Sequence, residues 1–405
     1  MTASTIPTID SYAPGLVTRA PEGSLSGSAS TLLGVGIVAW LASLTAGMLG
    51  YETQFYFSYL VAYMFTLSLA LGALFFVMVQ HVSRAGWSIV VRRLAENMAN
   101  TLPFMAVLFF PIALGQETLF HHWIHPVEGD EVLAGKAPYL NLTFFYIRVL
   151  IYFVVWVGLA RFFCSNSAKQ DATGDPALSM KMARFAAPGI VLFGFTITFA
   201  AFDWMMSLNP HWFSTMFGVT YFAGSEMAFL ALLAVSFMWL SRKNLLKDIV
   251  NAEHYHDIGK LMFAFMVFWA YVNFSQYFLI HYADLPEETA WYADRNQNNW
   301  PIIGTIIIVG HFLVPFAFLL SRHMKRNRTP LAIGALLLLA MHWIDMQYVI
   351  MPNHHDHFAP HWLDLTTTVG VLCIFLGLTL RSVARTNLIP VRDPKLKESI
   401  NFVNF

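Results

Sequence analysis

Ten apolar runs of roughly 20 residues follow one another along this chain of 405 residues, and each is long enough to cross a bilayer as an α-helix. A content of 57% hydrophobic and 12% charged residues excludes an ordinary soluble protein. The runs therefore predict an all-α integral membrane protein with ten transmembrane helices. The predicted spans cover residues 32–50, 54–80, 98–115, 141–163, 184–207, 213–241, 258–282, 300–322, 329–350 and 363–382.

The cations are divided unequally between the two ends of these spans. Of the 24 Lys and Arg residues, 21 fall in the N-terminal segment, the even-numbered connections and the C-terminal segment, which together form the cation-rich end. The odd-numbered connections form the cation-poor end, which holds Lys136, Arg295 and many acids, while Arg148 lies within a span. By the positive-inside rule, both termini are predicted to be cytoplasmic. Anionic lipid explains the basic residues, so nucleic-acid binding is disfavoured.

The ten spans account for almost the whole chain, and no soluble domain is predicted. Residues 1–30 are interpreted as a cytoplasmic N-terminal tail, residues 31–382 as a ten-helix membrane domain and residues 383–405 as a cytoplasmic C-terminal tail. Residues 86–97 have an apolar and a basic face, which predicts a helix lying along the inner membrane interface. Cys164 and Cys373 cannot supply the four thiolates of an iron–sulfur cluster and are interpreted as small apolar side chains.

A short internal repeat relates the fifth and ninth spans. Asp203 and Asp345 each precede a proline by seven positions, at Pro210 and Pro352, and a Pro-His-Trp sequence occurs at 210–212 and again at 360–362. The two spans run in the same direction and stand four spans apart. This pattern predicts two four-helix bundles, spans 2–5 and 6–9, related by an axis along the membrane normal, with spans 1 and 10 at the periphery.

Two positions near the cation-poor end carry opposite charges at similar depth in neighbouring spans. Ionisable groups within a membrane are costly, which makes them candidates for function. Arg148 in span 4 and Asp203 in span 5 are predicted to pair, since pairing is the simplest way for either charge to be tolerated. Such a pair fixes helix packing, or it forms a site for a quinone head-group or for protons.

Glu226, His311, His342 and Asp345 are the other ionisable candidates near mid-membrane. A carboxyl group such as that of Glu226, with no cation nearby in sequence, is expected to exchange protons or to be protonated and hydrogen-bonded to its neighbours. The set as a whole is compatible with a proton relay, with interhelical hydrogen bonding, or with bis-histidine ligation of a b-type haem. Glu96, at the inner end of span 3, is either an inner entrance for protons or part of a solvated helix end.

Two groups of histidines occur in the connections at the cation-poor end. One is His121, His122 and His125, and the other lies at 354–361. Their spacing is compatible with a structural metal, or with an interface to a partner. The alternatives stay open on sequence alone.

The sequence from Phe202 to Gly218, FDWMMSLNPHWFSTMFG, resembles the hairpin between spans 5 and 6 of the F-type membrane subunit (ActF) of bacterial alternative complex III. The sequence from Arg92 to Glu96, followed by Thr101-Leu-Pro103, is also similar to that family. The resemblance covers about residues 30–385. ActF is similar to the NrfD/PsrC group, whose members have two four-helix bundles and no redox centre of their own.

This resemblance implies a subunit of a quinol:cytochrome c oxidoreductase in a bacterial inner membrane. The subunit is not expected to be catalytic alone. The implied partners are a sister NrfD-like quinol-binding subunit, an iron–sulfur protein, multihaem c-type cytochromes and a terminal oxidase. Haems and iron–sulfur clusters would belong to those partners, and menaquinone or ubiquinone would be the quinone. The implied role is a proton path of two half-channels, together with scaffolding. A free-standing proton-coupled secondary transporter is the alternative.

Overall fold

The computed structural model describes residues 17–247 and 249–404, so most of the predicted N-terminal tail, residues 1–16, lies outside the described residues. Nine helical stretches in these ranges are long and apolar enough to cross a membrane. Large apolar side chains such as Val154, Tyr271 and Ile302 are 60–65% exposed on the outward faces of the helices. The chain is therefore a helical protein with the surface of a multi-pass membrane protein.

The regular helices follow the predicted spans closely, with further short helices in the connections. They are α1 (Ser26–Ala46), α2 (Glu52–Val82), α3 (Ile89–Ala99), α4 (Leu102–Leu108), α5 (Phe110–Leu114), α6 (Gln116–Leu119), α7 (His121–Ile124), α8 (Glu131–Lys136), α9 (Leu142–Thr173), α10 (Ala177–Trp204), α11 (Phe217–Arg242), α12 (Ala252–Ala283), α13 (Pro286–Arg295), α14 (Trp300–Ile307), α15 (Val314–Leu319), α16 (Arg322–Arg326), α17 (Arg328–Ile350), α18 (Trp362–Arg385) and α19 (Leu396–Ile400). A break in the helical backbone within Gly47–Tyr51 separates α1 from α2, and a wide turn of π-helix at Ile308–Leu313 joins α14 to α15.

The first apolar stretch, Ser26–Val82, is 57 residues long and contains a reversal of the chain. Its helical geometry fails at Leu49 and at Gly50, where φ is +117°, a conformation that only glycine adopts readily. Trp40 Nε1 donates to the hydroxyl of Tyr59 at 3.4 Å, and these residues stand at equal distances along the chain on either side of the break. The stretch therefore folds back into the two helices α1 and α2.

The helices α2 and α11 form the centre of the structure and are buried along most of their length. They pack against each other; α10 also packs on α2 and α9, and α17 also packs on α11. The helix α1 lies at the periphery and packs mainly on α18. A Cβ built on Gly36 would stand 2.7 Å from the amide nitrogen of Ile374 and 3.0 Å from the carbonyl of Gly370, so the two helices touch backbone to backbone.

Prolines lie at two of the places where the apolar stretches depart from regular helix. Pro103 and Pro111 begin α4 and α5, and they interrupt the third predicted span. Pro315 lacks the N–H that would donate to the carbonyl of His311, and the π-helical turn lies at this place. The helices α9 and α12 contain no such interruption.

The C-terminal segment after α18 packs back onto the cation-rich end of the helices. Ser399 Oγ donates to the carbonyl of Trp87, and His254 Nε2 lies 3.1 Å from the carbonyl of Ser399. Arg19 donates to Asn387 at 2.7 Å, which ties the N-terminal side of α1 to the same segment. The segment thus covers α3, and all residues of Ile89–Ala99 are buried. The prediction that residues 86–97 lie along the membrane interface is therefore wrong, because the chain itself covers both faces of this helix.

Candidate functional site

A group of titratable side chains is buried between α12, α17 and the π-helical turn. His311 and His342 are both 0% exposed, and their ring centroids lie 6.3 Å apart. Trp269 of α12 stacks against His311 with centroids 3.9 Å apart, and its Nε1 donates to Asp345 at 3.2 Å. The structure therefore brings together three of the predicted residues, and Trp269 links two of them.

The hydrogen bonds of His342 determine which of its nitrogens carries the proton. Ser68 Oγ contacts the carbonyl of Phe65 at 2.6 Å and His342 Nε2 at 3.0 Å. The single hydroxyl proton goes to the carbonyl in the shorter contact, so Nε2 of the imidazole is the donor to Ser68. Nδ1 then holds a lone pair, and it has no hydrogen-bond partner among the described residues. This nitrogen is free to accept a proton.

Both ring nitrogens of His311 also lack a partner among residues 17–247 and 249–404. An unpaired buried polar group costs about 1–3 kcal/mol, so such groups are few in proteins and need a reason. His311 stands in the π-helical turn Ile308–Leu313, a type of irregularity that is often found at functional sites. Gly310 provides room there, because a Cβ at this position would collide with Met341 of α17. The backbone irregularity and the unpaired imidazole therefore occur at one position.

Aromatic side chains cover the faces of the two imidazole rings. Trp269 lies against His311, and Phe65 lies against His342 with ring centroids 5.7 Å apart. The interpretations of this group as a proton relay, as interhelical hydrogen bonding and as bis-histidine ligation stay predictions.

Glu226 is buried in α11 at 1% exposure, and its Oε1 has no partner among the described residues. Gly224, two residues earlier, faces α17, because a Cβ there would stand 2.8 Å from Cε1 of His342. Side chains two residues apart on an α-helix project about 200° apart. The Glu226 carboxyl group therefore points away from His342, and the predicted relay divides into two groups on opposite faces of α11.

Arg148 and Asp203 form the buried pair that the sequence predicts. Arg148 Nε and Nη2 donate to the two oxygens of Asp203 at 2.8 and 3.0 Å, and the hydroxyl of Tyr152 donates to Asp203 Oδ2 at 2.6 Å. Arg148 Nη1 donates to the carbonyl of Tyr139 at 2.8 Å. The guanidinium group lies 3.8 Å from the ring centroid of Tyr139 and 4.4 Å from that of Phe144. Neighbouring side chains therefore enclose the pair.

Neighbouring groups occupy much of the hydrogen-bonding capacity of the pair. Three of the five guanidinium N–H groups donate within the chain, and the interpretation of this pair as a quinone site stays a prediction. Asp203 is 0% exposed and accepts three hydrogen bonds. The two cavities described below are lined by other residues. The pair closes the space between α9 and α10.

Glu96 lies in a buried charge network at the cation-rich end. Its Oε1 lies 3.1 Å from Arg92 Nε and its Oε2 lies 2.9 Å from Arg93 Nη1. Arg93 also pairs with Asp171 at 2.6 Å, and Arg92 pairs with Asp393 of the C-terminal segment at 2.8 Å. Glu96 is 2% exposed, so the interpretation of a solvated helix end is wrong. The two arginines hold this carboxylate in place.

Both copies of the Asp-x6-Pro repeat end at one polar cavity of about 340 Å³ at the cation-poor end. Pro210 and Pro352 line it together with three histidines from separate connections, His122, His211 and His355. Members of the two histidine groups bond to other side chains: His125 pairs with Glu117, and His355 bonds to Gln54. Within the described ranges no three His, Cys, Asp or Glu side chains are placed to hold a metal ion.

Two groups in these connections have shifted pKa values. A hydrogen bond from the Leu133 N–H, with a second from His211, lowers the pKa of Asp130. Burial, reinforced by neighbouring histidines, lowers the pKa of His354 from its ordinary 6.5 to about 4. His354 stacks on Phe57 of α2 with ring centroids 5.0 Å apart, so a neutral imidazole forms part of the packing of this end.

A comparison with models of known protein families and with curated proteins finds no match to this chain.

Several residues of the site carry no signal in the sequence. Ser68 and Trp269 are common residue types in membrane helices, and only the packing of α2 and α12 on α17 brings them to the histidines. Tyr152 could have been found, since it stands one helical turn from Arg148 on the same face of α9. The acidic partners Asp171 and Asp393 lie far from Arg92 and Arg93 in sequence and are joined to them by the fold.

Proposed function

We propose that this chain is a membrane subunit, without a redox centre of its own, of a quinol:cytochrome c oxidoreductase of the alternative complex III type, and that it contributes a proton path. The observation that carries the proposal is the buried group of His311, His342, Asp345 and Trp269 at the π-helical turn. Both ring nitrogens of His311 and Nδ1 of His342 have no hydrogen-bond partner among the described residues, and an imidazole nitrogen with a free lone pair can accept a proton.

The proposed topology has ten spans, with α1 and α2 counted separately, and both termini in the cytoplasm. The reversal at Leu49 and Gly50 supports this count, because a straight helix of 57 residues would be about 86 Å long, far longer than a bilayer is thick. The two proposed bundles are α2–α10 and α11–α17, with α1 and α18 at the periphery. Within the first proposed bundle α10 packs on α2 and α9, within the second α12 and α17 pack on α11, and the contact of α2 with α11 joins the two bundles.

The two groups of protonatable residues lie on opposite faces of α11. Glu226 is on one face, and the face that carries Gly224 meets His342. A proton path of two offset half-channels, as the family resemblance implies, would place its groups in this way. Glu96 is held by two arginines and serves the scaffold in this proposal, and the Arg148–Asp203 pair seals the first bundle.

A free-standing secondary transporter is the alternative, and it predicts discontinuous helices at corresponding positions of the two halves. The interruptions in this chain are not paired. The third span is broken at Pro103 and Pro111, whereas its counterpart α12 is continuous. The eighth span is broken at the π-helical turn, whereas its counterpart α9 is continuous. This asymmetry favours the subunit over the transporter.

The proposal is tested by a native gel of gently solubilised membranes, with mass spectrometry of the proteins that migrate with this chain. We expect multihaem cytochromes, an iron–sulfur protein and a second NrfD-like subunit in one band. A band that contains this chain alone would refute membership of the complex and would put the transporter first.

A further inference from the structure

A cleft of about 370 Å³ lies at the cation-poor end between α17 and the beginning of α18. Its volume is in the range of ligand sites. Both helices pack on α2, and Trp343 of α17 bridges to α18 by donating from Nε1 to Thr368 at 2.8 Å. The residues that define the cleft are Trp343, Gln347, Phe358, His361, Trp362 and Asp364.

The cleft opens on the side of the protein where lipid head-groups would lie. Trp362 is 48% exposed and Leu365 is 63% exposed at its rim. Tryptophan at the end of a membrane helix is typical of the interface between head-groups and acyl chains. Aromatic side chains line the walls of the cleft, namely Trp343, Phe358 and Trp362. They would contact the part of a lipid where the polar head-group joins the acyl chains.

Gln347 lines the cleft with a carboxamide whose nitrogen has no hydrogen-bond partner in the described part of the chain. The residue is 2% exposed, so bulk water does not replace the missing partner. His361 supplies a second donor, because its Nδ1 accepts from the N–H of Leu363 at 3.3 Å and the proton of the neutral ring is then on Nε2. A ligand with oxygen acceptors would satisfy these donors.

The charge of the cleft is negative rather than positive. Asp364 is 5% exposed and is held by Gln54 Nε2 at 3.1 Å, by the hydroxyl of Ser58 and by the N–H of His361. Together with the faces of Trp343 and Trp362, a carboxylate favours an ammonium group. An anionic head-group, by contrast, would be repelled.

We propose that this cleft binds the head-group of a zwitterionic, amine-bearing phospholipid. The ester and phosphate oxygens of the lipid accept from Gln347 and His361, and its ammonium group lies by the tryptophan faces near Asp364. The lipid fills the space between α17 and α18 and joins the two helices at this end. The site is independent of the proton path and of membership of a complex.

The first test is lipid mass spectrometry on the protein, purified in mild detergent with whatever partners remain bound, before and after extensive washing. Wild type is expected to keep phosphatidylethanolamine. Gln347→Leu is expected to keep about tenfold less, the effect of losing one buried hydrogen bond. Gln297→Leu is the matched control, because this exposed residue lines the other cavity, and it should behave like wild type. Equal retention in wild type and Gln347→Leu would overturn the proposal.

A second test distinguishes the head-groups and does not depend on the folding of the Gln347 variant. Delipidated wild-type protein is melted after addition of phosphatidylethanolamine or phosphatidylglycerol. The proposal expects a higher melting temperature with phosphatidylethanolamine, and a smaller gain in Trp362→Leu, a change at the exposed rim. An equal or larger gain with phosphatidylglycerol, or recovery of an isoprenoid quinone as the bound species, would refute the amine-bearing lipid.

Discussion

Replacing Asp203 by asparagine leaves the guanidinium group of Arg148 buried without a counter-charge. Asp203 is 0% exposed and Arg148 is 5% exposed, so water cannot screen the uncompensated charge. Breaking a buried pair on one side typically costs about 3–5 kcal/mol. We expect Asp203→Asn to lower the free energy of unfolding by this amount, measured by steric trapping in bicelles. The exposed carboxylate of Asp356 is the matched control, and Asp356→Asn should change stability by less than about 0.5 kcal/mol.

The double variant Arg148→Met/Asp203→Leu removes both charges and keeps apolar volume. Apolar replacement of a whole buried pair is often neutral, so we expect the double variant to recover most of the stability that Asp203→Asn loses. In the proposed complex it should also retain quinol oxidation, because the pair seals a bundle. If the stability losses of the two single variants simply added in the double variant, or if Asp203→Asn were as stable as wild type, the pair would not be what stabilises the packing of these helices.

Three further changes test the packing of the fold. Gly36→Ala should lower the free energy of unfolding by about 1–3 kcal/mol, because the added Cβ would meet the backbone of α18. Gly34 has open space around it, so Gly34→Ala should leave the free energy of unfolding unchanged in the same assay. Acidification from pH 6.5 towards 4 should lower the melting temperature, because His354 has a pKa of about 4 in the folded chain and takes up its proton at higher pH in the unfolded chain. His354→Phe should reduce this pH dependence. An unchanged pH dependence in the variant would contradict the role of His354. Arg92→Met should increase proteolysis of the C-terminal segment several-fold, because it removes the partner of Asp393, while the exposed Arg161→Met should leave the cleavage rate unchanged. Equal cleavage rates in the two variants would refute the role of the network.

The hydropathy pattern predicts most of the helices because a membrane leaves the backbone few alternatives to a helix. The predicted span at 329–350 differs from α17 by one residue. The pair of Arg148 and Asp203 was also predictable, since two opposite charges at one depth in neighbouring helices have few other partners. The approach of His311 and His342 follows from their similar depth.

The sequence did not predict what depends on the packing of remote segments. Residues 86–97 look like an interfacial helix because their pattern is amphipathic, but the C-terminal segment supplies Asp393 for Arg92 and covers this helix. The direction of Glu226 relative to His342 depends on the rotation of α11, which apolar residues on all its faces leave undetermined. The cleft at Gln347 exists only because the beginning of α18 lies beside α17.

The most direct test of the central claim is the number of protons moved per electron by the proposed complex, purified and reconstituted in sealed vesicles. Glu226→Gln and His311→Leu should each keep quinol oxidation within about twofold of wild type, because neither residue carries electrons, and each should lower the proton yield. His281→Leu, at an exposed histidine, is the control and should leave the yield unchanged. A normal proton yield in both variants would contradict a proton path through these residues.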